Sequence, residues 1–473
     1  MVSCFRPREF IRAKEASEVA NLLEKYGDRA AILGGGTLIH SLASRGLLTQ
    51  IDTIIQIQDL GLSYIRIDDS RFRIGATTTF AEIEANSYVS NDPSFGALKD
   101  ALKYPPVQIR NTATIGGSIA SAFPLFDIPI ALLALSADAR IRGPNHEREI
   151  GLESLCVDYF QTTLSKGEFI TEVALPLLRN RSFSAFLKLE TNANDLAIIN
   201  VSVNLSFDSS DDSICSDARI FVGGGIGKVP VRALSAEAQL RGKAFDKSLL
   251  DKASQAIEFD VTPIEDHRAS SKYRLVATKV LLKRALTQVL NRSRQPSPVG
   301  KLRNESNGST MMTEYSSVLS STVILEVNGK SHRLELGPCE TLLDVLRERL
   351  GLSGAKRGCD TGGCGCCTVL VNNRAVYSCM TYALSLNGKQ VTTIEGLIVD
   401  GRMDPIQEAF VKVGAVQCGY CTSGMIMNAK SLLLSEKSPS EEQIRKSISG
   451  NLCRCTGYQK IVEAVMMASK NNQ

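Results

Sequence analysis

The sequence predicts an α+β chain built from several domains, and three observations carry that prediction. Its 473 residues exceed the roughly 100–200 residues that one core usually organises. The apolar spacing changes character along the chain: mixed helix-like and strand-like patterns to about residue 290, two hairpins after 320, then helical stripes from 405 onward. The cysteines are concentrated, nine of the thirteen falling between residues 359 and 455.

Ser17 to Tyr26 (SEVANLLEKY) puts Val19, Leu22 and Leu23 on one helical face after a serine cap. The following AAILGGGTLIHSL reads as strand, glycine turn and helix. A turn of Gly34, Gly35 and Gly36 before Thr37 suits an anion, because backbone amides and a helix start both point at it. A plain tight turn explains it equally well, and it is not the dinucleotide fingerprint G-x-G-x-x-G. In QIRNTATIGGSIASAFPLFD a second glycine turn, Thr114 to Ser118, carries hydroxyls on both sides, and Asp127 lies beyond it. Two amide-rich loops for a diphosphate and a carboxylate for ribose hydroxyls fit a dinucleotide. Residues 183–287 alternate strands and then turn helical, as at Ala233 to Leu240.

From Asn291 to Ser320 the pattern dissolves into polar, Pro/Gly/Ser-rich sequence, a linker of about 30 Å r.m.s. span. Met311-Met312 inside it reads as the relic of a start codon where two chains were fused. VILEVNGKSHRLEL is then a hairpin about Asn328-Gly329, with Val323, Leu325, Val327, Leu334 and Leu336 on its apolar face. A helix over 341–350 and a second hairpin about Asn372-Asn373 follow. Over 405–470, Ile406, Ala409, Phe410 and Val413 form one stripe and Ile461, Ala464, Val465 and Ala468 another.

Cys359, Cys364, Cys367 and Cys379 are spaced C-x4-C-x2-C-x11-C with glycines between them. That is the spacing of plant-type [2Fe–2S] ligands, and the glycines let the backbone wrap closely and aim N–H groups at sulfur. Zinc is the alternative, although structural zinc sites usually show two C-x2–4-C pairs. Cys418 and Cys421 (C-x2-C) with Cys453 and Cys455 (C-x-C) would alone suit a cluster, zinc or a redox dithiol.

TLLDVLRERLGLSGAKRGCDTGGCGCCTV (341–369), QCGYCTSG (417–424) and GNLCRCTGYQKI (450–461) together resemble the iron–sulfur subunit of the molybdenum hydroxylases, the family of xanthine dehydrogenase, aldehyde oxidase and aerobic carbon monoxide dehydrogenase. QIRNTATIGG and the first glycine loop resemble that family's FAD-binding domain, and GG…PVRA…EA…LRG its flavoprotein C-terminal domain. The resemblance implies a PCMH-type α/β FAD-binding domain of two lobes over 1–178 and an α+β flavoprotein domain over 182–288. A linker over 289–320, a β-grasp ferredoxin-like domain over 321–397 and a four-helix [2Fe–2S] domain over 398–473 would complete it. It implies that FAD lies on Leu33, Gly34, Gly35, Gly36, Thr37 and Leu38 (first pyrophosphate loop) and on Thr114, Gly116, Gly117 and Ser118 (second). Tyr104 would sit against the isoalloxazine ring, Asp127 would bind ribose, and Ile170 and Lys188 would complete the site. The eight cysteines named above would hold two [2Fe–2S] clusters, in domains with cores separate from the flavin half.

The chain departs from the family in places. Leu38 stands where many relatives carry Asp, Asn or Ser, so it would contribute backbone alone, and KLETNAND lacks the arginine that often follows the lysine matching Lys188. Tyr104, before two prolines, has a second reading as a packing residue. Cys366 replaces the usual alanine and is expected to be a small buried residue, as are Cys4, Cys156, Cys215 and Cys339. The [4Fe–4S] insertion of some relatives is not expected, and His40, His146, His267 and His332 form no catalytic constellation.

The resemblance implies an electron-transfer oxidoreductase subunit with no catalytic residue of its own. Electrons would come from a separate molybdopterin-binding chain, faced by Gln417 and Cys455, through the helical-domain cluster and the ferredoxin-like cluster to FAD and on to NAD⁺ or another acceptor. A hetero-oligomer is therefore expected. A self-contained flavin reductase and a zinc-stapled interaction protein are the rivals. Purines, nicotinate and aldehydes stay open as substrates, purine being preferred. A net charge of +4 without a Lys/Arg cluster gives no reason to invoke nucleic acid or membrane. No apolar run approaches the roughly 20 residues of a spanning helix. The start, MVSCFRPREF, lacks a signal pattern and metal-binding thiols need a reducing compartment, so the cytoplasm is expected.

Overall fold

The computed structural model describes residues 7–68, 70–177, 181–208, 213–294, 318–319 and 321–471. Cys4, Met311 and Met312 lie outside them. The mixed α+β architecture expected from the sequence is present, and each domain is organised by one sheet or one helical cluster.

The first lobe is a sheet in the order Val318–Leu319, Glu9–Arg12, Thr53–Gln56, Ala30–Leu33, the last three parallel. Thr53–Gln56 is buried along its whole length, as a strand covered on both faces must be. The first helix runs Ala16–Tyr26 and starts from Glu15 rather than from Ser17, which lies in the first turn with its Oγ donating to Glu15 at 3.2 Å. The second lobe is an antiparallel sheet, Ile65–Ile67, Arg71–Gly75, Phe169–Pro176, Asp138–Arg142 and Glu147–Gly151. Its helix Asp127–Ala134 is buried at every residue because it lies between this lobe and the next domain's strands Ile199–Phe207 and Ile214–Gly224.

That next domain is an antiparallel sheet led by Ser182–Leu189, Ile199–Phe207 and Ile214–Gly224, backed by the helix Ser271–Ser293. The helix runs past residue 289, where the linker was expected to begin, because Leu286, Val289 and Leu290 still bury an apolar face. The ferredoxin-like unit follows the predicted order: Asn328 and Gly329 both take positive φ in the first hairpin, and Asn372 and Asn373 in the second. A capping box between Thr341 and Asp344 starts its helical segment. The helices Pro405–Val413, Thr422–Ser435, Glu441–Ser447 and Gln459–Asn471 complete the chain.

The cores are not separate, contrary to expectation. Phe10, Leu33, Ala43, Ile51 and Ile54 of the first lobe share one apolar cluster with Val323, Leu342, Met380 and Tyr382 of the ferredoxin-like unit. The strand Val318–Leu319, at the end of the expected linker, pairs antiparallel with Glu9–Arg12 and seals the same junction.

Candidate functional site

The two glycine loops form one surface. The strand Ala30–Leu33 delivers the first loop and the helix Thr37–Ser44 leaves it, with Gly36 at the cap in the left-handed region (φ +75). Gly34 and Gly35 do not need positive φ; they are glycines because the second loop presses on them. A Cβ on Gly35 would stand 2.0 Å from the Thr112 carbonyl oxygen, and one on Gly34 would stand 2.9 Å from Thr114 Oγ1. In the second loop Thr114 caps the helix Ile115–Ala120 by accepting from the Gly117 amide at 3.3 Å. Gly117 is exposed, and a Cβ there would meet Thr114 Oγ1 alone, at 3.0 Å. Ser118 is buried, and Leu38 lies in the first turn of its helix. A pair of touching, Cβ-free loops backed by helix starts fits a diphosphate.

Tyr104, Asp127 and Lys188, far apart in sequence, meet. The Lys188 amide donates to Tyr104 Oη at 3.1 Å, and Lys188 Nζ lies 5.3 Å from the Tyr104 ring centre. The same ammonium reaches Asp127 Oδ2 at 3.0 Å and Glu190 Oε2 at 2.9 Å. Burial works against its charge, but the two carboxylates outweigh it and hold its pKa above the ordinary lysine value. Asn200 Nδ2 donates to Asp127 Oδ1 at 3.2 Å, so both carboxylate oxygens already have partners. The residue is 7% exposed, and each of its oxygens can accept a further hydrogen bond besides these. Tyr104 is half-buried, edge-on to Phe186 at 5.6 Å, which combines packing with one open side. Ile170 is a core residue of the second lobe. Glu190 and Asn200 carry no motif and were not foreseen.

The cysteines are arranged two by two. Cys359 faces Cys364, Cys367 faces Cys379 and Cys421 faces Cys453, thiol to thiol, and Cys366 also approaches Cys364. Cys418 and Cys455 stand 3.6 Å apart, S to S. Two thiolates on one tetrahedral metal at about 2.3 Å are separated by about 3.7 Å. Among the described residues no three His, Cys, Asp or Glu side chains converge on one point as a single ion requires. Pairs of thiols facing pairs suit a dinuclear centre, one pair per iron, better than mononuclear zinc. The Thr361 and Gly363 amides donate to Cys359 Sγ at 3.4 and 3.3 Å, supplying the hydrogen bonds a cluster thiolate needs. Gly365 (φ +72) is required twice over, since a Cβ there would lie 2.4 Å from the Gly450 carbonyl oxygen. Cys366 is buried at 6% exposure, Cys215 is buried, and Cys156 and Cys339 are half-buried.

Sequence reasoning missed a buried polar junction. Asn451 Oδ1 accepts from Gln108 Nε2 of the flavin half at 2.8 Å and from Asn428 Nδ2 of the helical domain at 2.7 Å. Its Nδ2 donates to the Gly365 carbonyl at 2.8 Å and to Thr368 Oγ1 at 3.2 Å in the ferredoxin-like unit. The next amide, Leu452, donates to the carbonyl of Cys364 at 2.9 Å and leads into Cys453, so ligands of both sets are one hydrogen bond apart. Gln108 stands inside the QIRNTATIGG stretch, but nothing in that stretch announces its partners.

Four sequence profiles match successive parts of the chain. They are an FAD binding domain in molybdopterin dehydrogenase (residues 4–178), a CO dehydrogenase flavoprotein C-terminal domain (184–289), a 2Fe-2S iron-sulfur cluster binding domain (325–391) and a [2Fe-2S] binding domain (393–466). The nicotine 6-hydroxylase small subunit of Paenarthrobacter nicotinovorans is 48% identical over 144 residues, 30% of this chain and 87% of that protein. The nicotinate dehydrogenase small FeS subunit of Eubacterium barkeri is 46% identical over 147 residues, 31% of this chain and 94% of that protein. Among solved structures, carbon monoxide dehydrogenase from Hydrogenophaga pseudoflava matches with TM-score 0.57 and 28% identity, covering 61% of this chain and 99% of that one.

Proposed function

The chain belongs to the molybdenum hydroxylase family as an oxidoreductase component with FAD and two [2Fe–2S] clusters, and from that premise we propose that it carries electrons from a molybdopterin-binding partner chain to NAD⁺ or another acceptor. When bound, the clusters supply one-electron and the flavin one- or two-electron chemistry, so the protein's task is to fix their spacing and surroundings. The observation that carries this reading is the contiguity of the three sites: Leu452 links the two cysteine sets, and the first glycine loop lies against the ferredoxin-like ligand loop. A reductase with independent modules would not need that arrangement.

In this reading Leu33 to Leu38, Thr114 and Gly116 to Ser118 hold the diphosphate. Tyr104 and Lys188 border the flavin ring, Ile170 contributes an apolar edge, and Asp127 anchors Lys188 and accepts from the ribose. Cys359, Cys364, Cys367 and Cys379 hold one cluster, and Cys418, Cys421, Cys453 and Cys455 the other. The partner would dock where Cys418 and Cys455 are exposed, on a face also carrying Gln417, Val416, Tyr420 and Leu452. The names of the relatives, small subunits of nicotine and nicotinate enzymes, support a separate large chain. A xanthine dehydrogenase iron-sulfur-binding subunit at 43% identity stands beside them, so purine is not singled out.

The test is purification from the native host. Recovery of a large molybdenum-containing chain, about four iron atoms and no stoichiometric zinc per chain, with substrate-dependent bleaching of the flavin, is expected. A fully active preparation without molybdenum would refute the proposal.

A further inference from the structure

His40 belongs to the helix that leaves the first glycine loop, yet its Nε2 lies 3.0 Å from the carbonyl oxygen of Asp360, the residue after the ligand Cys359. A carbonyl only accepts, so Nε2 carries the proton. The ring sits edge-on to Tyr382 at 6.0 Å, and Tyr382 is 3% exposed. The loop's own backbone reaches the other side of the same ligand set: a Cβ on Gly36 would stand 3.8 Å from the Met380 carbonyl oxygen and 3.7 Å from Tyr382 Cδ2. Met380 follows the ligand Cys379, and its Sδ fills the space that a Cβ on Gly362 would take, at 2.0 Å. Asp360 itself is held in the left-handed region (φ +54). Arg357 fastens its carboxylate at 2.7 Å, and the Arg357 carbonyl in turn accepts from Tyr420 Oη of the second cysteine set at 2.6 Å. From the flavoprotein C-terminal domain, Asn194 Nδ2 reaches the Gly363 carbonyl at 3.5 Å.

We propose that His40 is a positioning residue that makes the first flavin loop and the Cys359 ligand loop one mechanical unit, so that occupancy of the flavin site and order of that ligand loop are coupled. The inference rests on the flavin placement proposed above. Its physical basis is that residues 36–40 have two duties. The loop end at Gly36 faces the diphosphate, and the first turns of the helix behind it carry His40, whose side chain hydrogen-bonds to the ligand loop.

 Because Asp360 is a strained, left-handed residue, its peptide keeps its orientation through the groups that grip it, and His40 is the one that comes from the flavin side. Binding a dinucleotide diphosphate at the loop orders Gly36 and the helix start, and that order passes to Asp360 through the imidazole and to Met380 through the backbone contact.

The test uses the full chain with three substitutions: His40→Ala, His40→Gln, whose amide can donate to the same carbonyl, and Gly117→Val as the flavin-site reference. FAD affinity is measured by titrating deflavinated protein, and amide hydrogen exchange is followed over residues 357–366 with clusters intact. His40→Ala should weaken FAD binding about tenfold, the order of one lost hydrogen bond to a carbonyl, and should speed exchange over 357–366 about tenfold. It should also shift the EPR signal of one cluster and leave the other unchanged. His40→Gln should recover most of each effect. Gly117→Val should lose FAD while exchange over 357–366 in its deflavinated form matches that of the deflavinated native chain. If His40→Ala leaves FAD affinity within twofold of native, the coupling is refuted, whether or not exchange changes. If Gly117→Val retains stoichiometric FAD, the flavin placement falls and the coupling with it, a failure read from a different variant.

Discussion

Replacing Asn451 by leucine should weaken the junction of the three domains without disturbing any ligand. The side chains are close in volume, so the effect isolates the polar groups. Four hydrogen bonds disappear, to Gln108, Asn428, Gly365 and Thr368. Their partners are not left bare: Gln108 Nε2 keeps Thr368 Oγ1 at 3.2 Å, Asn428 Nδ2 keeps the Ser447 carbonyl at 2.9 Å, and the Gly365 carbonyl keeps Thr368 Oγ1 at 2.7 Å. With each group losing one of two partners at a buried site, the expected cost is about 2–4 kcal/mol. Urea unfolding of the cofactor-loaded chain, followed together by flavin fluorescence and by visible circular dichroism of the clusters, measures it. Gln108→Leu should cost about 1–2 kcal/mol, and the double variant should fall short of the sum by about 1 kcal/mol because both changes remove the same bond. Strict additivity, or a cost below about 0.5 kcal/mol for Asn451→Leu, would refute the claim that this junction holds the halves together.

Three further outcomes are expected. Gly35→Ala should disrupt both loops, since its Cβ would meet the Thr112 carbonyl at 2.0 Å, whereas Gly117→Ala, opposed only by Thr114 Oγ1, should leave the apoprotein's melting temperature within a few degrees and reduce FAD content; calorimetry with flavin analysis separates the two. Cys364→Ser should abolish one cluster's EPR signal and Cys366→Ser should leave both, because Cys366 lies outside the C-x4-C-x2-C-x11-C spacing even though its thiol also approaches Cys364; a cluster lost in the second variant would overturn the ligand assignment. On the acid side, the hydrogen bond from Arg148 holds Glu168 down to about 2 from an ordinary 4.5. The unfolded chain therefore takes up that proton first, so the carboxylate's contribution is present above about pH 4.5 and is lost as pH falls toward 2. Glu168→Gln should flatten that part of the acid-denaturation curve, and an unchanged slope would contradict it.

The local chemistry was legible in the residues alone. C-x4-C-x2-C with its glycines, the C-x2-C and C-x-C pairs at helix ends, the Asn-Gly hairpin and the paired stripes of 405–470 are all short-range patterns, and each constrains backbone within a few residues of itself. The two glycine loops were legible for the same reason, although the conformational argument holds for Gly36 alone. Gly34 and Gly35 are small because the Thr114 side chain lies against the first and the Thr112–Ala113 backbone against the second. Tertiary structure decided what these patterns do to one another. Asp127 reads as a lone carboxylate until Lys188 and Asn200, 61 and 73 residues away, meet its oxygens. Gln108 looks like a loop residue until Asn451, 343 residues on, accepts its amide. His40 stood in no constellation until Asp360 was brought to it across 320 residues. The shared core of the first lobe and the ferredoxin-like unit was hidden likewise, because Phe10, Leu33 and Met380 each read as ordinary core residues of their own segments. Periodicity reports which face of an element is buried and is silent on what buries it. Partners so distant in sequence are selected by packing and by the need to satisfy every buried polar group, which act only once the chain has closed.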